Sequence, residues 1–312
     1  MGAQYTLARW GRIQRHCNVM MVTGADAKMR AGSRFIAIAA GLTVLASAGG
    51  ARAGFGQPSP WQTGLQQSDT PVMNAIIAFN DVLLYLIIAI AGSIFALLII
   101  AMIRFNKYVH PTPSKRTGNR PLEVAWTVVP FLIVVVMVVF SFRLLFFEED
   151  IPQADLTVKA TGHQWFWQYS YPDNGNFQFV SSMLHDAERK PGQPRLLAVD
   201  NDLVVPVNKV VRVQVIGADV IHSFAVPSFG IKIDALPGRL NETWFMATHE
   251  GMYYGQCSEL CGMDHSFMPI AIRVVSEKKF NEWIAYAKQQ FASGSPSAPA
   301  ETATIETRVA AE

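Results

Sequence analysis

The stretch GQCSELCGMDHSFMP (255–269) sets Cys257, Cys261, His265 and Met268 within twelve positions, and two of the chain's three cysteines are here. Cys261, His265 and Met268, joined by the distant His222, supply one thiolate, two imidazoles and a weak thioether. That is the ligand set of a blue-copper electron-transfer site. Cys257 is then one thiolate too many for a single ion. Two thiolates four residues apart can each bridge two copper ions, with His222 and His265 as terminal nitrogens. Met268 and the backbone carbonyl of Glu259, which lies between the cysteines, are the weak axial donors of such a pair. Sharing an electron over two ions spreads the charge change, and no ligand position stays open for a substrate, so the arrangement suits a relay.

Two other readings use the same residues. Cys257, Cys261, His222 and His265 also make a Cys₂His₂ zinc set, although this leaves Met268 without a role and separates His222 from Cys257 by more than a small finger allows. Two thiols outside the cytoplasm also oxidise readily to a disulfide.

The compartment follows from the rest of the chain. Half of the 312 residues are hydrophobic and 16% are charged, a composition that places part of the chain in lipid. Arg30 and Arg34 precede the apolar run FIAIAAGLTVLASA (35–48), and Ala51-Arg52-Ala53 is an A-x-A-like cleavage signal. Residues 1–53 are therefore expected to be a leader and signal peptide cut near Ala53, with Met29 a possible true start. Cys17 lies upstream of the cut. Residues 54–73 form a short exterior segment, and 74–147 a transmembrane helical hairpin. Its two apolar runs, Val82 to Ile103 and Val124 to Phe142, are each long enough to cross the hydrocarbon core. The connecting loop, 104–120, carries five Lys/Arg and no acid, which makes it cytoplasmic and leaves both ends of the hairpin outside.

Setting aside the leader and that loop leaves 14 basic against 23 acidic residues, so the exterior is net negative. Such a surface attracts a cationic partner; no nucleic-acid partner is expected. From 148 to 276 short β-type runs (LTVKATG, HQWFWQYSY, RLLAVD, LVVPVNKVVRVQVIG, WFMATHE, MPIAIRVV) alternate with Pro, Gly, Asn and Asp clusters, the pattern of a β-sandwich. Ser276 is placed to cap a closing helix over 277–290, with Phe280, Trp283, Ile284 and Ala287 on one face. Residues 291–312 have the composition of a disordered tail.

Taken together these motifs resemble subunit II of the haem–copper cytochrome c oxidases, from about Pro60 to Trp283. The resemblance rests on EVAWTVVP, GHQWFWQYSY, LLAVDN, DVIHSFAVPSFGIKIDALPGRLNETWF and YYGQCSELCGMDHSFMPI, the last with the spacing H-x₃₄-C-x-E-x-C-x₃-H-x₂-M. It implies a membrane-anchored all-β protein, a two-helix transmembrane hairpin followed by a cupredoxin-like β-sandwich, in the bacterial inner membrane with its copper domain outside. It implies a dinuclear Cu-A centre on His222, Cys257, Glu259 (backbone carbonyl), Cys261, His265 and Met268. It also implies a Mg²⁺ shared with subunit I through the Glu259 carboxylate. Trp165 matches the residue through which electrons enter from cytochrome c; by strand periodicity alone it shares a core face with His163, Trp167, Tyr169 and Tyr171. Glu123 matches a glutamate at the entrance of a proton path in subunit I. Asp173, Asp200 and Asp219 match acids around the cytochrome c site, with Asp202 adding a charge nearby. Ser170 and the PDNGN turn (172–176) hold fewer acids than the family pattern. No C-x-x-C-H haem motif is present.

The expected function is electron acceptance from cytochrome c and delivery to haem a of subunit I, where oxygen is reduced and protons are pumped. A copper-binding or copper-delivery protein anchored by the hairpin is the alternative; a carrier that must release its metal favours exposed ligands.

Overall fold

The computed structural model describes residues 56–112 and 114–291. The expected leader, its cleavage near Ala53 and the tail beyond Phe291 lie outside the described residues.

Two long helices come first. α1 (Pro71–Arg104) has Thr70 as its N-cap: the Thr70 hydroxyl accepts a hydrogen bond from the Met73 N–H at 3.0 Å, and Pro71 follows at a position where its missing N–H costs nothing. Its 34 residues span about 51 Å at 1.5 Å each, well beyond a hydrocarbon core about 30 Å thick. The surplus lies at the N-terminal end, where Val72 and Met73 are buried. α2 (Arg120–Glu149) runs through Pro130 without a break. Both helices are long and apolar enough to cross a membrane, and they expose apolar side chains on every side, as helices in lipid do.

Ten strands follow in two five-stranded sheets. The first has the order β3 (Phe177–Ser181), β2 (Phe166–Tyr171), β1 (Leu156–His163), β5 (Val211–Gly217), β8 (Asn241–Phe245). The second has the order β4 (Leu203–Pro206), β10 (Pro269–Val275), β9 (Gly251–Cys257), β6 (His222–Val226), β7 (Ile231–Ala235). β1 pairs with β5, and β10 with β4, in parallel; the other named pairs are antiparallel. β1 and β5 alternate buried and half-buried residues, the period-two pattern of a sheet with one face on the core. Val158, Val213 and Tyr169 from the first sheet meet Phe224, Tyr253 and Ile272 from the second in one core. α3 (Glu277–Gln290), capped by Ser276, closes this core with Phe280, Ile284 and Ala287, and Trp283 packs on Tyr171 at 5.2 Å between ring centres. Phe291 stacks on Phe179 at 4.9 Å.

Some β-type runs fold otherwise than their composition suggests. HQWFWQYSY is not one strand. His163 ends β1, Gln164-Trp165 forms a two-residue hairpin turn, and β2 starts at Phe166, so Trp165 leaves the core face that Trp167, Tyr169 and Tyr171 occupy. RLLAVD makes only an isolated bridge, Val199 to Met183: Leu196 has φ +65°, and Leu197, Ala198 and Val199 are buried without strand pairing. β6 has no alternation to read because all five of its residues are buried.

The start of α1 is tied to the sandwich. The Thr70 hydroxyl donates to the Phe229 carbonyl at 2.7 Å while accepting from Met73, and the buried Asp69 carboxylate accepts from Thr248 Oγ1 at 3.0 Å. Gly230, at φ +72°, sits so close that a Cβ there would lie 2.8 Å from Ile76 Cδ1 and 3.0 Å from Met73 Cα. At the other end of the hairpin the Trp244 indole donates to the Glu148 carbonyl at 3.2 Å. Replacing Thr70 by Val keeps the shape but leaves a buried N–H and carbonyl short of a partner, a loss of about 1–3 kcal/mol. Thr70→Val should therefore lower the apparent Tm of the purified protein by several degrees, with Thr70→Ser restoring most of it. An unchanged Tm would show that the cap does not hold the two parts together.

Candidate metal centre

One end of the sandwich brings the ligand candidates together. Cys257 is the last residue of β9 and pairs with Phe224 on β6, two residues beyond His222. β9 turns back into β10 through Ser258–Met268, and Gln256 pairs with Pro269 across the base of that loop. Both ends of the ligand loop are thus held by sheet hydrogen bonds. His265 lies on a short 3-10 turn within it.

The two Cys sulfurs lie 3.9 Å apart, nearly twice the S–S bond length of about 2.05 Å, and both cysteines are free. Around each sulfur stand one imidazole and one weak donor. His222 Nδ1 is 3.9 Å and the Glu259 carbonyl 3.4 Å from Cys257 Sγ; His265 Nδ1 is 3.5 Å and Met268 Sδ 3.6 Å from Cys261 Sγ. His222, Cys257 and Cys261 by themselves form a compact group able to hold a metal ion. The set is soft and nitrogen-containing, as copper prefers. Four-coordinate zinc leaves two of these six donors unused.

Charge at the centre is unevenly held. Burial pushes the Cys257 thiol up, but hydrogen bonds from His222, from backbone at Glu259 and Ser223, and from His265 outweigh it and bring it down to about 6. Burial and the neighbouring Cys257 thiolate push the Cys261 thiol up to about 12. The two thiols thus shift in opposite directions, each thiolate disfavouring the other, and a bound metal favours the deprotonated form of both.

His222 is fully buried and has both ring nitrogens engaged: Nδ1 faces Cys257, and Nε2 is 2.8 Å from Asp219 Oδ1. A carboxylate behind a ligating imidazole fixes its orientation and tautomer. Asp219 also accepts from the backbone N–H of Gln164 at 2.7 Å and of Val220 at 2.6 Å. Burial raises its carboxyl, and these hydrogen bonds more than offset that, holding it below the usual range. The ring has room because residue 162 is glycine: a Cβ on Gly162 would lie 2.8 Å from His222 Cδ2. Trp167 supports the other side, its indole N–H donating to the Met268 carbonyl at 3.3 Å.

Trp165, partly buried at the β1–β2 turn, donates from Nε1 to the carbonyl of Cys261 at 3.3 Å. Gln164 Nε2 donates to the same carbonyl at 2.8 Å. Gln164 and Gly162 are the residues that sequence reasoning passed over. Their partners are some sixty to a hundred positions away, and nothing in GHQW announces them.

The remaining candidates are dispersed. The Glu259 carboxylate is exposed beside the loop. Glu123 lies at the far end of the hairpin, where its Oε1 accepts from the Asn119 N–H at 3.1 Å. Asp200 accepts from Ser182 N–H at 2.8 Å, beside the end of β3 and close to the Trp165 turn; burial raises its carboxyl. Asp202 is 3.4 Å from Arg273 Nε, and burial raises its carboxyl too. Asp173 stands apart. It accepts from Thr157 N–H at 2.7 Å at the start of β1, six residues and about 20 Å of strand from the copper end.

Comparison with known proteins identifies the family of the chain. The family model described as cytochrome C oxidase subunit II, periplasmic domain, matches residues 156–275, and the one for the transmembrane domain matches 58–144. The chain is 50% identical over 238 residues to a probable cytochrome c oxidase subunit 2 of Rickettsia bellii, covering 76% of this chain and 88% of that one. It is 44% identical over 266 residues to cytochrome c oxidase subunit 2 of Cereibacter sphaeroides, covering 78% and 88%. Among solved structures, the periplasmic domain of subunit II of cytochrome oxidase of Bradyrhizobium japonicum is 67% identical, covers 46% of this chain and 99% of that one, and has a TM-score of 0.43.

Proposed function

Because the chain belongs to the cytochrome c oxidase subunit II family, we propose that the paired cysteine loop is the Cu-A centre, through which this subunit accepts electrons for the oxidase. The carrying observation is the donor set itself: two unbonded thiols 3.9 Å apart, each with its own imidazole and its own weak donor. Two copper ions bound there supply a one-electron site whose charge change is shared between them. Cys257, Cys261, His222 and His265 would hold them, with Met268 Sδ and the Glu259 carbonyl as further, weaker donors. Four of the six donors are buried, with His222 at 0%, Met268 at 1%, Cys261 at 4% and Cys257 at 6% exposure, while His265 is half-buried; so much burial disfavours a carrier that hands its metal on.

Reduced cytochrome c docks over Trp165, and the electron enters along the indole and its hydrogen bond to the Cys261 carbonyl. Asp219 keeps the His222 ring oriented during the change of charge. Asp200 and the partly exposed edge of Asp219 lend the docking face negative charge, with Asp202, paired with Arg273, and Asp173 adding to the acidic exterior. The electron leaves for haem a of subunit I, where oxygen is reduced to water and protons are pumped. The exposed Glu259 carboxylate is free to ligate Mg²⁺, a hard cation, at the contact with subunit I. Glu123 serves at the entrance of a proton path, on the opposite side of the membrane from the copper.

The chain is membrane-anchored with a periplasmic domain. Both helices cross the bacterial inner membrane, and the basic 104–120 loop is cytoplasmic. Protease applied from the periplasmic side should remove the sandwich and leave that loop uncut; cleavage within it would reverse the orientation.

Metal analysis and EPR of the purified oxidase test the centre. Two coppers per subunit II and a hyperfine pattern shared over two nuclei are expected. Cys257→Ser should abolish the sharing, since an alkoxide bridges soft copper poorly; one copper with single-nucleus splitting in the unmodified protein would defeat the assignment. Asp200→Asn should raise the apparent KM for cytochrome c severalfold at low salt and much less at high salt, as screening requires. An equal effect at both salts would remove Asp200 from the docking face.

A further inference from the structure

The close seat of Trp165 on the ligand loop depends on Gly262. Gly262 follows Cys261 and has φ +129°, a conformation in which an L side chain is strained. A Cβ on it would lie 2.9 Å from Trp165 Cζ2, 3.1 Å from Gln164 Nε2 and 3.2 Å from Trp165 Nε1. Gly262 is exposed, so packing of a core does not explain its lack of a side chain. Its backbone conformation favours glycine, and so, independently, does the hairpin tip above. Trp165 and Gln164 both donate to the Cys261 carbonyl, and they reach it across the space that a side chain on Gly262 would fill.

We propose that Gly262 is a positioning residue for electron entry: by presenting no side chain it lets the Trp165 indole lie on the ligand loop in hydrogen-bond contact with the backbone of Cys261. The inference rests on Trp165 being the point of entry. A methyl at 262 would lift the indole and lengthen or break the Nε1–carbonyl contact. Tunnelling through a bonded contact is then replaced by a jump across a gap. The docking face, set by side chains on other elements, would keep its affinity.

Two of the three atoms that a Cβ would crowd, Trp165 Cζ2 and Nε1, have no counterpart in phenylalanine; the third, Gln164 Nε2, ends a flexible side chain that can swing aside. The test is therefore a double-mutant cycle in the assembled oxidase, with Gly262→Ala, Trp165→Phe and both together, read by stopped-flow reduction of the copper centre with reduced cytochrome c. Gly262→Ala should lower the limiting rate by about tenfold or more, as a misplacement of about an ångström can do, with KM and the copper EPR spectrum unchanged. In the Trp165→Phe background the same substitution should cost less than about twofold, since coupled residues do not give independent losses. Should Gly262→Ala alone fail to retain copper, the proposal expects Trp165→Phe to restore it by removing the collision. A wild-type rate for Gly262→Ala, losses that multiply, or copper loss that persists in the double variant would each overturn the proposal. The two readings fail differently. A wild-type rate in Trp165→Phe alone removes the entry point and this inference with it, whereas a slow Trp165→Phe beside a normal Gly262→Ala removes this inference only.

Discussion

Two thiols held 3.9 Å apart in a buried space constrain everything around them. At that separation they are not bonded, and burial together makes it unfavourable for both to carry charge, as the upward push on Cys261 shows. A cation between them would favour the thiolate form of both. The protein must therefore hold soft donors close in the absence of a bond, and it does so with sheet pairing. Cys257 is fixed against Phe224, and the far end of the loop is closed by Gln256 against Pro269. Met268 immediately precedes β10 and is buried, so its thioether is delivered by the same strand register.

Around these donors lies a second layer that is equally specific. Asp219 holds His222, the Gln164 N–H holds Asp219, and the Gln164 amide reaches the Cys261 carbonyl. The β1–β2 turn thereby touches the histidine side and the cysteine side of the centre at once. The residue expected to conduct electrons, Trp165, is in the same turn. A single short connection thus stiffens the site and connects it to the surface, which favours small rearrangement during electron transfer.

Acids that look alike in the sequence prove unlike in the fold. Asp219 carries a ligand histidine, Asp200 caps backbone N–H groups near the Trp165 turn, Asp202 faces Arg273, and Asp173 sits at the other end of β1. Their charge contributes to the exterior field wherever they are, because that field is a sum over the surface. Their local roles depend on which strand end they occupy. A net charge count has no access to that information.

Much was legible beforehand because it is local or chemical. Two long apolar runs with a basic loop between them identify membrane helices whatever they pack against, since lipid asks only for length and apolarity. The Cys257-x-Glu259-x-Cys261 loop with His265 and Met268 is a compact segment whose residue types mark a candidate metal centre, and the strand-rich composition declares a sandwich. What the tertiary structure alone decided is long-range or hidden by burial. β6 has no alternation because both its faces are covered, and RLLAVD is apolar because it is buried, without being a strand. Trp165 left the core face because a two-residue turn intervenes between β1 and β2, and strand periodicity carries no mark of where a chain reverses. Gly162 lies near the end of β1 and Gly262 in the ligand loop, and nothing in the sequence marks either. Their purpose is the empty space they leave for His222 and Trp165, and a space between distant segments exists only once the sheets have brought those segments together.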